Sequence, residues 1–183
     1  MPPSEQDDSS TYRFSRVPIV WGWGTWRRVW DDYRFDLGGW RTRLPVRRAW
    51  SAMGGTPWSL ALWSANFDLM ARHSIDTWDL QFVCASMTAG RLTAAPPVNL
   101  IENVGFRADA THTRRELPYI RPVESMALPS HPRPVQLDER ADRWLMRHAY
   151  GASALGLARQ AGRSLKALAA GQRFLDRHRN LAR

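Results

Sequence analysis

The sequence predicts a mixed α and β chain, helix-rich with a few short strands and a helical C-terminal tail. Three observations carry that expectation. Apolar residues recur at helical spacing behind recognisable start signals, as at Thr56-Pro57 followed by Leu60, Trp63, Phe67 and Met70. Short alternating or apolar runs bounded by prolines, such as Tyr12–Arg16, Leu92–Ala95 and Val98–Val104, read as strands. From Leu137 onward the chain becomes Ala-, Leu- and Arg-rich, the composition of a helix with one apolar side.

The chain has 183 residues, 44% of them hydrophobic and 23% charged, enough for one domain with its own core and unlike a disordered chain. Cys84 is its only cysteine, so no disulfide closes within it, in keeping with a reducing compartment. The start carries Glu5, Asp7 and Asp8 and no basic segment before an apolar run, which is not a secretory signal. No apolar stretch is long enough to span a bilayer. These features predict a cytoplasmic protein able to touch the inner face of the membrane.

The net charge of +9 and isoelectric point near 11.0 invite a nucleic-acid or anionic-membrane partner. Lys166 is the sole lysine, however, so arginine stands even where its forked geometry has no use. That pattern reads as coding bias rather than phosphate recognition, and the tryptophans cluster away from the arginine-rich tail. No specific nucleic-acid partner is expected.

Residues 1–12 read as a disordered polar tail, residues 13–117 as the main subdomain, 118–136 as a proline-rich connector and 137–183 as a basic helical tail. The tail could be interfacial, a helical cover for the sheet or a loose extension. Within the subdomain, Trp21-Gly22-Trp23-Gly24-Thr25-Trp26 concentrates indoles and glycines that suit neither a helix interior nor a strand. Glycine permits positive φ and close approach, so a turn presenting flat indole faces is expected, and such faces suit the apolar side of a sugar as well as a protein core.

A helix from a Thr25 cap follows, with Trp26, Val29, Trp30 and Tyr33 on its inner face and Gly38-Gly39 beyond its end. Trp40–Ala52 is a second helical stretch broken near Pro45 and closed by Gly54-Gly55. The Thr56-capped helix should end near His73. Asp76 caps the next, Thr77 to Ala89, with Trp78, Phe82, Val83 and Met87 inward and Gly90 as its stop.

Two places could carry chemistry. Asp79 and Asp76 lie at the start of that helix, where the dipole favours negative charge, and a carboxylate there can accept the proton of an incoming hydroxyl. Both also read as ordinary N-terminal helix residues. Asp109 and His112 share a loop and could ligate a cation, or His112 could meet a phosphate oxygen, although two ligands are too few for a structural zinc site. No phosphate-binding glycine loop or nucleophilic triad is present.

Taken together, three blocks resemble the bacterial GT-A glycosyltransferases described as hemolytic protein HlpA-like nucleotide-diphospho-sugar transferases. They are Phe14-Ser15-Arg16-Val17-Pro18 leading into Trp21–Arg28, Asp76–Phe82, and Pro97–Phe106 continuing to Asp109–Thr113, with His131-Pro132 beyond them. The resemblance implies an α/β GT-A-like architecture (α+β in isolation) of which this chain matches the C-terminal, acceptor-side half. It implies transfer of a sugar from a nucleotide-diphosphate donor to a hydroxyl acceptor, in surface polysaccharide or glycolipid synthesis. Asp79 would be the base, with Asp76 as second choice; Trp21, Gly22, Trp23 and Trp78 would line the acceptor side; and His112 would complete a Mn or Mg site.

The nucleotide-binding βαβ units and the acidic metal motif of such enzymes lie upstream of the tryptophan block, and Asp7-Asp8 lacks the strand that precedes that motif. The chain then reads as a truncated frame, a decayed copy, or a partner to a separate chain that supplies the donor half. The competing expectation is a non-catalytic glycan- or partner-binding protein.

Overall fold

The computed structural model describes residues 12–72, 77–102, 123–126, 130–132 and 134–161. In chain order these form β1 (Arg13–Ser15), α1 (Arg27–Trp30), α2 (Trp40–Arg43), α3 (Val46–Ala52), α4 (Pro57–Ala71), α5 (Asp79–Ala89), β2 (Thr93–Ala95) and α6 (Glu139–His148), with further helix at 154–161. The described residues are therefore helix-rich with one small antiparallel sheet among them. In that sheet Arg13 faces Ala95, Phe14 faces Ala94 and Ser15 faces Thr93.

The longest helix starts where its capping chemistry requires. The Thr56 hydroxyl accepts the Ser59 amide at 3.1 Å, while Ser59 Oγ lies 3.3 Å from the Thr56 amide that donates to it. Pro57 follows as the first helical residue, where its missing N–H costs nothing. α5 stops at Gly90, whose φ of 67° is the left-handed conformation that lets the last carbonyls be met by turning amides. Pro45 separates α2 from α3, as its sequence position anticipates.

The core is built where α3, α4 and α5 meet. Trp63, Phe67, Leu37, Leu44 and Met53 are fully buried there. α6 closes this core with Met146, whose sulfur accepts a hydrogen bond from Trp63 Nε1 at 3.1 Å. A second tie is polar. Leu137 bridges Phe14 in parallel, the Asp138 amide donates to the Phe14 carbonyl at 3.0 Å, and Asp138 caps α6 by accepting the Ala141 amide at 2.9 Å. Below it, Asp142 accepts the Ser15 hydroxyl at 2.6 Å and the Arg16 amide at 2.9 Å.

Three sequence expectations change. The helix expected from Thr25 through Tyr33 is a single turn, Arg27–Trp30, with Trp26 at the cap position and no side-chain cap. Only Val29 of its supposed inner face is buried, while Trp26 and Trp30 are exposed, so no continuous apolar stripe repays additional turns. Residues 98–102 form no strand. Asn99 turns the chain there, its side chain accepting the Ile101 amide at 3.2 Å, and a local side-chain bond of this kind competes with a ladder. α5 begins at Asp79 rather than Thr77, with Trp78 in the cap position. The expected cap Asp76 lies outside the described residues, as do the end expected at His73, the loop of Asp109 and His112, and most of the basic tail.

Candidate aromatic and carboxylate site

The tryptophan turn is shaped by a glycine it cannot exchange. Gly22 has a φ of 57°, and a Cβ on it would overlap the Ile101 side chain. That close approach brings the 98–102 segment against the turn. Beyond Gly22 the chain carries Trp23 into a group of rings donated by three separate segments. Trp23 stacks on Trp78 with centroids 5.9 Å apart and planes 17° from parallel. It also meets Phe82 at 4.6 Å and Trp30 at 6.0 Å, and Trp30 meets Tyr33 at 5.3 Å.

Phe82 forms the buried floor of this group, whereas Trp30 and Trp78 remain 41% and 46% exposed. One turn below Phe82 on the same helix face sits Asp79, half-buried. Its Oδ1 accepts the Thr77 hydroxyl and, at 2.8 Å, the Leu80 amide. Among the described residues nothing donates to Oδ2. Burial raises the Tyr33 phenol above its ordinary range, and the charge of Asp79 raises it further, which places the phenol within electrostatic reach of that carboxylate.

The sequence candidates thus separate into groups. Trp23, Trp78 and Asp79 are brought together, and Gly22 positions the turn that holds the first of them. Trp21 is 42% exposed, and among the described residues the rings that meet Trp23 are those of Trp30, Trp78 and Phe82. Asp76 and His112 lie outside the described residues. Trp30, Tyr33 and Phe82 were expected only as inward-facing helix residues. Phe82 is inward as expected, whereas the place of Trp30 and Tyr33 in an open aromatic face depends on α1 being too short to bury them, which no periodicity signals. Among the described residues no three His, Cys, Asp or Glu side chains gather as a cation donor set.

Comparison with known proteins adds no assignment: neither a family model, nor a curated protein, nor a solved structure matches the chain. No helix among the described residues is long and apolar enough to cross a membrane.

Proposed function

We propose that this chain is the acceptor-side part of a GT-A-type glycosyltransferase, transferring a sugar from a nucleotide-diphosphate donor to a hydroxyl acceptor in surface polysaccharide or glycolipid synthesis. The observation that supports it is the convergence of the three resembling blocks. The tryptophan turn touches the Asp76–Phe82 block through the Trp23–Trp78 stack and the third block through Gly22 and Ile101. Convergence of this kind is what a shared site requires.

In this reading the exposed faces of Trp30 and Trp78 carry the apolar face of an acceptor sugar. The Asp79 carboxylate, beside them, takes the proton of the acceptor hydroxyl as that oxygen attacks the donor. A divalent cation, with His112 as one ligand, and a donor-binding half belong to the reading by resemblance. No cation donor set assembles among the described residues, and His112 lies outside them.

The exposed rings favour a second reading, a glycan-binding protein without catalysis. One experiment separates the two. Intrinsic tryptophan fluorescence is titrated with bacterial surface oligosaccharides, and transfer from labelled nucleotide sugars is then measured for the chain alone and with the polypeptide encoded immediately upstream. The transferase reading expects glycan binding lost in Trp78→Ala, and nucleotide-sugar-dependent transfer abolished in Asp79→Asn. Most of the rate surviving in Asp79→Asn would remove its role as base, binding without any transfer would leave the second reading, and no glycan binding at all would end both.

A further inference from the structure

α5 is 11 residues long, so its two ends lie about 16 Å apart. The aromatic and carboxylate group occupies the N-terminal end. At the other end, between the last turns of α3 and α5, an open cavity of about 290 Å³ is lined by three arginines, Arg16, Arg48 and Arg91, together with Ser51, Met87 and Gly90.

Each guanidinium has an anchoring partner. Arg16 Nη1 donates to the Ser51 carbonyl at 2.9 Å and Arg48 Nη2 to the Thr88 carbonyl at 2.6 Å, so the carbonyl-rich ends of α3 and α5 fix both. Arg91 Nη2 pairs with Asp32, and its Nη1 is buried with no partner among the described residues. A guanidinium has five N–H donors, and anchoring through one nitrogen leaves a planar edge to spend. Among the described residues, Asp32 is the one carboxylate hydrogen-bonded to any of the three guanidinium groups, while Asp142, which accepts the Arg16 amide, also lies within electrostatic reach of the Arg16 charge. Three arginines against these two carboxylates leave an excess of positive charge around the cavity, and two of the guanidinium groups, those of Arg16 and Arg48, are oriented by main-chain carbonyls.

We propose that this cavity binds a phosphate group, as an inorganic ion, a small phosphate monoester or the headgroup of an anionic lipid. The arginine fork matches two phosphate oxygens at once, and a site already anchored by main-chain carbonyls loses little side-chain freedom on binding. The assignment does not depend on the transferase reading, because it uses none of the residues of the aromatic site.

The test titrates the full chain with inorganic phosphate by calorimetry, and separately with vesicles of phosphatidic acid in phosphatidylcholine, at fixed ionic strength. Loss of one charge-assisted contact in Arg48→Gln or Arg16→Gln should weaken binding about tenfold or more, whereas Arg147→Gln, on the outer surface of α6, should leave it unchanged. Arginine-dependent binding of free phosphate identifies a soluble ligand, and arginine-dependent binding of vesicles alone identifies a lipid headgroup. Equal weakening by Arg147→Gln, or no phosphate or vesicle binding at all, would overturn the site. Should the variants fail to fold, phenylglyoxal labelling of the unaltered protein decides: phosphate must protect Arg16, Arg48 and Arg91 more than Arg147.

Discussion

Trp23 and Trp78 stack 5.9 Å apart with their planes 17° from parallel, joining the glycine-tryptophan turn to the first turn of α5. An offset aromatic pair contributes about 0.5–1.5 kcal/mol beyond its buried area. A double-mutant cycle of Trp23→Leu and Trp78→Leu, read by urea unfolding, should return a coupling of that size. Losses that simply add, to within about 0.3–0.5 kcal/mol, would mean the rings stabilise the fold independently.

Gly22 and Gly24 flank Trp23 and should respond in opposite ways. Gly22 combines positive φ with the Ile101 contact, so Gly22→Ala should cost about 1–2 kcal/mol from the backbone alone. A Cβ on Gly24 meets nothing within 4 Å, and Gly24→Ala should stay within about 0.5 kcal/mol of the parent. Thermal melts of the two variants decide it, and equal losses would refute the geometry of the turn.

Electrostatic coupling between Tyr33 and Asp79 has a direct signature. Burial is the larger reason the Tyr33 phenol ionises late, and Asp79 adds to it. In Asp79→Asn the phenol should therefore titrate at lower pH than in the parent, while still above an ordinary tyrosine. An unchanged Tyr33 titration, followed by phenol carbon chemical shift, would separate the carboxylate from the aromatic group.

Asp142 predicts a pH dependence of stability. Burial raises its carboxyl above the ordinary range, against the opposing pull of the Ser15 hydroxyl, the Arg16 amide and the Arg13 and Arg16 charges. A raised folded value means that the native state holds the proton longer than the unfolded chain does. The stability it contributes is therefore full below the unfolded value of about 3.9 and declines as pH rises through the raised folded value. Asp142→Asn cannot accept both donors and should cost about 1–3 kcal/mol at low pH. That deficit should shrink as pH climbs through the same window, and a deficit that instead grows with pH would reverse the sign assigned to this carboxyl.

Much of the local architecture is legible in residues within one helical turn of each other. Thr56-Pro57 with Ser59 starts α4, Gly90 ends α5, and Pro45 divides α2 from α3. Half of the candidate site was legible too, since Trp23, Trp78 and Asp79 stand out by type and position. Trp30 and Tyr33 were misassigned to a buried helix face, because helical spacing alone cannot say that a helix stops after one turn. The Ser15–Asp142 bond was not legible at all, since nothing near Ser15 in the chain announces a partner on α6, whereas the Asp138 cap is a local signal bonded to Ala141 three residues on.

The sequence by itself determined where α4 starts and where α5 stops, the absence of an internal disulfide and the basic balance of the chain, because caps, breakers and charge act locally or by count. Tertiary structure alone decided which tryptophans stay open to solvent, that Trp23 of the glycine turn stacks on Trp78, next to Asp79, and that Arg16, Arg48 and Arg91 line one cavity. Those outcomes depend on side chains far apart in sequence competing for the same space and the same donors, and no local pattern encodes the winner.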